Sequence, residues 1–394
     1  ILLLIGIILL LGQTGANLLR RFKIPQVVAY IIMGVLLGRS AFNWIDPTAL
    51  KSVTSIALGL IGFTIGSQLK IYQLRRMGRS IIWISFLEAF GAFFLVGAAV
   101  WMLTGRLFEA LIFGALASAT APAATVDVLE EYRCKGVLTT TLLAVVGIDD
   151  GIALMIYGFA QPFSKMLYMP EAGITFWQSF LIPLTELGGS IIVGVVLGSA
   201  FAWGLKYFRL PGEKLSVTLA VVLVATGVSI QFHFSLILTN MIVGLVVGNL
   251  AMNQSRKLGE VVSGFTPPVY ILFFALVGAR LDISLLPTMG LLGIIYIVAR
   301  GIGKIGGAWL GARIGGAPPV VRKYLGFGLF SQAGVAIGLA IAASNDFASA
   351  GPAGKEFGLL IINTITATTF VAQMVGPSLT RMAVFKAGET NVRK

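Results

Sequence analysis

Thirteen apolar stretches, joined by short polar connections, run through the chain and constrain its fold more than any other feature. About 20 apolar residues are enough to cross the hydrocarbon core of a bilayer as an α-helix. Only 11% of the 394 residues are charged, whereas soluble domains carry about 25%. The sequence therefore predicts an all-α polytopic membrane protein with about 13 transmembrane helices. The predicted spans are 1–19, 25–42, 49–69, 80–104, 107–129, 137–161, 175–205, 214–231, 235–251, 258–279, 286–312, 321–344 and 355–382.

Lysine and arginine are abundant in every second connection. Of the 29 basic residues, 17 follow odd-numbered spans and 4 lie in the C-terminal tail, whereas 6 follow even-numbered spans. Basic residues concentrate on the cytoplasmic side of a membrane. We therefore expect an integral protein of a cell membrane, with its N-terminus outside and its C-terminus in the cytoplasm. The net charge of +13 is then a topology signal, and we expect no nucleic-acid partner.

The two halves of the chain share a pattern of glycines at a nearly constant offset in residue number. Three matches occur in order: 34–38 with 244–248, 66–71 with 278–283, and Gly114 with Gly326. The last two matches have the same offset, which we call the repeat offset. Spans 1–6 would then correspond to spans 8–13, with span 7 as a connector. Because an odd number of spans separates equivalent spans, the halves would lie inverted in the membrane, as is typical of secondary transporters.

The sixth span carries two adjacent carboxylates, Asp149 and Asp150, between two glycines. An aspartate at the centre of a membrane helix costs roughly 2.5–3.5 kcal/mol on insertion scales. Carboxylates bind hard cations and hold protons, so an ion or proton site is the functional interpretation. Neighbouring helical residues point about 100° apart, so one aspartate is able to face a cavity while the other meets a partner on another helix. An inert, hydrogen-bonded pair is the alternative.

Two spans contain polar breaks at matched depth. In the fifth span, Pro122 removes a backbone donor and predicts a helix break near Thr120. The twelfth span has Ser331 and Gln332 at the corresponding place. Half-helix ends carry partial charges of about half a unit, and where two such ends meet they help to coordinate an ion. A simple proline kink with a packing seam of small residues is the alternative.

Lys304 lies deep in the eleventh span, where a lysine needs a partner or must give up its proton. Asp149 or Asp150 is the candidate partner, and the alternative is that Lys304 reaches the membrane interface. We expect Arg300, one turn earlier, to lie nearer a membrane face. For Glu88 in the fourth span, hydrogen bonding between helices is a sufficient explanation.

In these features the chain resembles the monovalent cation/proton antiporter-2 family, in particular bacterial sodium/proton antiporters of the NapA type, over essentially its whole length. The shared motifs are Thr-Ala-Pro at 120–122, Ile-Asp-Asp at 148–150 and Gly-Lys at 303–304. The resemblance implies an NhaA-like fold with two discontinuous crossing helices, assembled as a homodimer. The implied domains are a dimerisation panel (1–72 and 212–283), an ion-translocation core (79–161 and 286–383) and a linker helix (172–206).

The resemblance also implies roles for individual residues. Asp150 would be the essential ion- and proton-binding carboxylate, and Asp149 the partner of the charge-compensating Lys304. Thr120 would lie at the unwound crossing. The expected site further includes Ser118 in the ion-binding set, and Ala121, Pro122, Ser331 and Gln332 at the crossing. NapA-like proteins carry an arginine and a glutamate in the second broken helix, where this chain has Ser-Gln-Ala-Gly at 331–334. Ion selectivity therefore does not follow from the resemblance.

The predicted function is exchange of Na⁺, with Li⁺ as a further candidate, for protons by an elevator movement and without a cofactor. Asp150 and Asp149 would bind Na⁺, and Asp150 would hold a cation or a proton in turn. Two titratable positions, Asp150 and Lys304, against one monovalent ion predict net charge movement. A K⁺/H⁺ antiporter and a cation-coupled symporter of an organic anion are alternatives on the same fold. We do not expect an enzyme, because adjacent helical aspartates diverge and do not form the facing dyad of an aspartyl protease.

Overall fold

The structure is a computed structural model that describes residues 2–20, 26–38, 41–42, 44, 51–69, 78–169, 176–208, 210–281 and 286–390. This part of the chain contains fifteen α-helices, which confirms the all-α prediction for it. The helices are α1 (Leu2–Arg20), α2 (Gln26–Leu37), α3 (Lys51–Gln68), α4 (Gly78–Thr104), α5 (Leu107–Ser118), α6 (Pro122–Glu131), α7 (Val137–Tyr168), α8 (Phe176–Gly204), α9 (Pro211–Gln231), α10 (Leu236–Leu250), α11 (Met252–Arg280), α12 (Leu286–Ile314), α13 (Pro319–Tyr324), α14 (Gly334–Ala348) and α15 (Pro352–Ala387). Two 3₁₀ segments lie at Leu205–Tyr207 and Leu325–Leu329.

Helix length and apolarity identify the candidate membrane spans. Within the described residues, α1, α4, α7, α8, α9, α12 and α15 each contain a stretch long and apolar enough to cross a membrane. An eighth span results if Pro319–Leu329 and α14, bent by 48°, are counted together. Five shorter apolar helices lie in α2, α3, α5, α10 and α11. Each of the thirteen predicted spans thus contains one of these elements, and the number that cross the bilayer stays a prediction.

The chain divides into two compact units. The first comprises Ile1–Ala16, Tyr30–Leu74 and Phe180–Ala279, and the second comprises Asn17–Ala29, Arg75–Ser179 and Arg280–Lys394. Within the first unit α3 packs most extensively against α10, and within the second unit α4 packs most extensively against α12.

Glycines that correspond through the sequence repeat also make corresponding contacts in the first unit. Gly34 of α2 lies against the backbone of Ala275 in α11, and its counterpart Gly244 of α10 lies against the backbone of Phe63 in α3. The two partners, Phe63 and Ala275, are themselves separated by the repeat offset. The α2–α11 and α10–α3 contacts therefore correspond, a pattern that two related halves would produce.

The second unit shows the same relation. Gly114 of α5 packs against Phe93 of α4, and Gly326 of the second 3₁₀ segment packs against Ile305 of α12. The two partners are separated by the same offset as the two glycines. The repeat therefore accounts for packing contacts as well as for the glycines from which it was read.

Each half of the second unit contains one interrupted helix. The α5 helix ends at Ser118 and α6 begins at Pro122, whereas the second 3₁₀ segment ends at Leu329 and α14 begins at Gly334. Proline is favoured at the first position of a helix, where its missing N–H has no intrahelical acceptor. The resumption points Pro122 and Gly334 are again separated by the repeat offset. The fifth and twelfth predicted spans are therefore both interrupted at the predicted residues.

Glycines spaced by four residues bring α12 into backbone contact with α4. A Cβ at Gly303 would meet the backbone of Gly91, and a Cβ at Gly307 would meet Leu87 and Glu88. Small residues at this spacing let two helix backbones approach closely. The α4 and α12 backbones are therefore held together at the level of Glu88.

This contact predicts opposite responses to the same substitution at two adjacent glycines. In Gly307→Ala the new methyl group meets the α4 backbone, and overpacking of this kind destabilises by about 1–3 kcal/mol. In Gly306→Ala the methyl group enters open space. We expect a lower thermal melting temperature in detergent for Gly307→Ala and an unchanged or higher one for Gly306→Ala. Equal melting temperatures would contradict the backbone contact.

Candidate functional site

The interruption between α5 and α6 is the first component of the site. The helix stops because Ala119 adopts an extended backbone conformation, with ψ of 142°. The N–H of Ala121 donates a hydrogen bond to the carbonyl oxygen of Ser331 at 2.9 Å. The two interruptions are therefore in direct backbone contact, although they come from opposite halves of the chain. The predicted crossing residues Thr120, Ala121 and Pro122 lie at this junction or immediately beside it.

Side chains tie the second interruption to its surroundings. The Nε2 of Gln332 donates to the carbonyl oxygen of Leu116 and to the hydroxyl oxygen of Tyr296, both at 2.9 Å. The Nε2 of Gln373 donates to the carbonyl oxygen of Gln332 at 2.8 Å. These bonds join the break to α5, α12 and α15. The uncharged Gln332 thus has a structural role at the position where the sequence departs from NapA-like proteins.

Arg300 fills the space between the two interruptions, and the expectation that it lies nearer a membrane face is wrong. Its side chain is buried, and its guanidinium donates to four backbone carbonyls. The acceptors, at 2.6–3.3 Å, are the carbonyl oxygens of Ala117, Ala119, Phe330 and Ser331. The last carbonyls of a helix have no intrahelical partner and carry a partial negative charge. A guanidinium with five donors neutralises both half-helix ends at once.

Lys304, one turn further along α12, is the second buried cation. Its Nζ lies 2.7 Å from Glu88 Oε2, 3.0 Å from Asp149 Oδ2, 2.7 Å from Thr120 Oγ1 and 2.5 Å from the Ser118 carbonyl oxygen. The side chain is fully buried, so the alternative that it reaches the membrane interface is wrong. The structure contains the expected pair with Asp149. Lys304 therefore joins α4, α7 and the first interruption through one ammonium group.

Ser118 contributes its backbone carbonyl to the site rather than its side-chain hydroxyl. Its hydroxyl donates to the carbonyl oxygen of Ala115 at 2.6 Å, within its own helix. Only its backbone carbonyl oxygen faces Lys304. Because the helix stops here, this carbonyl is available for a cation, and any other residue at position 118 would also supply it.

Asp150 is the only carboxylate of the site without a hydrogen-bonding partner among the described residues. It is fully buried, and neither of its oxygens accepts a hydrogen bond there. A buried polar group without a partner is costly, and an isolated buried charge more so. A proton or a cation on Asp150 would remove that cost. Since Asp149 points toward Lys304, the two adjacent aspartates occupy different surroundings, as their angular separation on a helix predicts.

The charges of the site do not cancel. Three buried carboxylates, Glu88, Asp149 and Asp150, accompany two buried cations, Arg300 and Lys304. With all five ionised the formal charge is −1, and one monovalent cation or one proton neutralises it. Within the described residues, no three His, Cys, Asp or Glu side chains converge as a metal centre. The formal charge of −1 on these five groups thus matches a site for one monovalent cation.

Glu88 is the site residue that was not predicted from the sequence. Only an interhelical hydrogen bond was expected for it, whereas it forms an ion pair with Lys304. Its partner lies 216 residues away, which no local pattern indicates. One signal was available: Glu88 and Arg300 are separated by the repeat offset. The two halves thus place opposite charges at equivalent positions of α4 and α12.

Comparison with known proteins identifies the family of the chain. The family described as sodium/hydrogen exchanger, transmembrane, matches residues 6–384. The chain belongs to the sodium/hydrogen exchanger family. It is 23% identical to a Na⁺/H⁺ antiporter of Enterococcus hirae over 84% of this chain and 86% of that protein. It is 22% identical to the Na⁺/H⁺-K⁺ antiporter GerN of Bacillus cereus over 94% of both.

A solved structure of the same class of transporter shows the fold. The sodium proton antiporter MjNhaP1 from Methanocaldococcus jannaschii matches with a TM-score of 0.78 over 97% of both chains, at 18% sequence identity. The chain therefore has the helical membrane fold of sodium/proton antiporters. In this exchanger family member, the interruptions and the buried charges lie within the second compact unit.

The contacts of Arg300 predict a large loss of stability on its removal. Arg300→Met would remove the guanidinium from four buried carbonyls, of which that of Ser331 would keep the N–H of Ala121. Each buried group left unsatisfied costs about 1–3 kcal/mol. Arg313→Met is the matched control, because Arg313 is exposed on the same helix, over the ring of Trp309. We expect a clearly lower melting temperature for Arg300→Met and little change for Arg313→Met. Similar melting temperatures for the two variants would show that the carbonyls do not depend on Arg300.

Proposed function

We propose that this chain exchanges Na⁺, with Li⁺ as a further substrate, for protons across the membrane, and that Asp150 carries cation and proton in turn. The observation that carries the proposal is the environment of Asp150, a buried carboxylate with no hydrogen-bond donor in the described residues. Carboxylate oxygens bind hard cations. A carboxylate that holds a proton binds a cation poorly, so the two ions compete for one group and are exchanged.

Lys304 prepares the site for the cation. Its ammonium now contacts a carboxylate oxygen of Asp149, the hydroxyl of Thr120 and the carbonyl of Ser118. These are oxygen donors of the kind that Na⁺ requires. When Na⁺ binds at Asp150, it draws Asp149 away from Lys304 and gains these oxygens as further ligands. Lys304 thus occupies part of the cation site until the cation arrives.

The exchange is electrogenic in this proposal. Asp150 and Asp149, rather than the Lys304 expected from the sequence, are the two proton-exchanging positions against one monovalent cation in this proposal. Each net charge moved is coupled to the membrane potential by about 2.3 kcal/mol per 100 mV. Proton movement down this potential would then drive Na⁺ out of the cell.

The proposal extends to architecture and orientation. The second unit, which holds the site, would be the moving core of an elevator, and the first unit the panel through which two copies form a homodimer. The chain would lie in the membrane of a prokaryotic cell with its N-terminus outside. The double aspartate and Lys304 support assignment to the monovalent cation/proton antiporter-2 branch and the NapA type. An inverted repeat of two six-span halves belongs to the same proposal, supported by the matched contacts of both units.

K⁺/H⁺ exchange is the second candidate. It is supported by the similarity to GerN, a Na⁺/H⁺-K⁺ antiporter, and Ser331–Gln332 is the place where this chain departs from NapA-like proteins. A cation-coupled symporter of an organic anion is less well supported, because the buried charges sum to −1 and would repel an anion. Parallel measurements with different cations separate these candidates.

The proposed carrier role is tested in proteoliposomes that report internal pH and current. Addition of Na⁺, Li⁺ or K⁺ in turn identifies the cation, and we expect Na⁺ to move protons and to generate a current. Asp150→Asn cannot release a proton or offer a charged oxygen, so exchange should fall to background. Asp346→Asn is the control, because Asp346 lies at the far end of α14 and pairs with Lys165 and Gln161 instead. Exchange by Asp150→Asn at the wild-type rate would contradict the proposal.

A further inference from the structure

Glu88 makes the shorter of the two ion pairs of Lys304, yet the exchange described above does not use it. Its Oε2 lies 2.7 Å from Lys304 Nζ, compared with 3.0 Å for Asp149 Oδ2. Both members of the Glu88–Lys304 pair are fully buried. A third carboxylate at such a site, with no assigned part in ion exchange, requires an explanation.

The two ion pairs of Lys304 differ in how firmly their helices are joined. Glu88 lies on α4, whose backbone touches that of α12 at Gly303 and at Gly307. Because the Gly307 contact is with Glu88 itself and its neighbour Leu87, the backbone that carries Glu88 is held beside α12. Asp149 lies on a third helix, α7, and in the described residues α12 packs far more extensively against α4 than against α7. The Glu88 pair is therefore the fixed one.

We propose that Glu88 is the permanent counter-ion of Lys304: it retains the ammonium when Asp149 turns to the cation, and it thereby sets the cation affinity of the site. This inference rests on the proposed cation/proton exchange. Glu88 acts through Lys304 and does not contact the cation, so it is a positioning residue.

The physical reason is the cost of an unpaired buried charge. If Asp149 were the sole partner of Lys304, cation binding would leave a buried ammonium without a carboxylate, which is strongly unfavourable. With Glu88 in place the ammonium stays paired, and the cation competes only for the Asp149 share of its charge. Without the Glu88 charge, the Lys304 ammonium interacts more strongly with Asp149, and a cation displaces it less easily. The site should then bind its cation more weakly, while the chemistry at Asp150 is unchanged.

The repeat provides an independent argument that the charge at position 88 matters. Position 88 in α4 corresponds to position 300 in α12, and the second half places Arg300 there. Arg300 neutralises the carbonyl ends of the interrupted helices. In the first half, Glu88 neutralises the ammonium of Lys304, which lies one turn from Arg300 on α12. The two equivalent positions thus balance the charge at the crossing.

The test measures the cation dependence of proton movement in proteoliposomes for the wild type and three variants. Glu88→Gln removes the charge with little change of shape, and Glu88→Asp retains it. Ser85→Ala is the matched control, because Ser85 is buried on the same helix and its hydroxyl makes no hydrogen bond in the described residues. We expect Glu88→Gln to raise the KM for the cation about tenfold or more, with a smaller change in kcat. Glu88→Asp should recover most of the affinity, and Ser85→Ala should resemble the wild type.

A KM for Glu88→Gln within about twofold of the wild type, or an equal rise in Ser85→Ala, would overturn the inference. A fall in kcat with unchanged KM would also overturn it, since that is the result of a purely structural role. If Glu88→Gln fails to fold, Lys304→Gln and the double variant Glu88→Gln/Lys304→Gln replace it. Because Glu88 acts through Lys304, these two should have the same KM, and a further rise in the double variant would contradict the proposal.

The same assay separates this inference from the proposed function. A wild type that moves no protons on addition of Na⁺, Li⁺ or K⁺ would overturn both the exchange and the role of Glu88. A wild type that exchanges a cation, with Glu88→Gln unchanged, would overturn the role of Glu88 alone.

Discussion

Two buried positive charges on one face of α12 determine the arrangement of the second unit. Arg300 and Lys304 lie one helical turn apart, and both are almost completely removed from solvent. A charge inside a membrane protein requires partners of opposite sign. Arg300 finds them in the carbonyl ends of two interrupted helices, and Lys304 finds them in Glu88 and Asp149. The interrupted helices therefore supply the carbonyls that compensate Arg300, and the carboxylates supply the negative charge that compensates Lys304.

This requirement explains why one carboxylate is left for the exchanged ions. Glu88 and Asp149 share one ammonium, and Arg300 is satisfied by carbonyls, so Asp150 has no cation of its own. In the proposed mechanism this carboxylate takes either a proton or a monovalent cation. Apart from proton exchange at the carboxylates, the mechanism proposed above requires only a change in which oxygens Lys304 contacts. The backbone contact between α4 and α12 keeps Lys304 in place while that change occurs.

The features that the sequence predicted well arise from local physics. The break beside Thr120 was predicted from Pro122, which removes a backbone donor. Proline alone does not decide such a break, because Pro162, Pro183 and Pro377 lie inside continuous helices. A lysine at mid-membrane needs a partner, which left Asp149 and Asp150 as candidates, and the resemblance to the antiporter family selected Asp149. Arg300 and Glu88 were misjudged because their partners lie in distant parts of the chain. Their roles depend on which helices pack together, and only the repeat of the two halves carried that information in the sequence.

The central claim is that one monovalent cation and protons compete for a site whose buried charges sum to −1. Calorimetric titration of the purified protein with Na⁺, in buffers of different ionisation enthalpy, counts the cations bound and the protons released per chain. The titration belongs at the pH where exchange is half-maximal, because Asp150 is then partly protonated. We predict one Na⁺ bound per chain, accompanied by proton release. Binding of two Na⁺ per chain, or binding of one without proton release, would contradict the account.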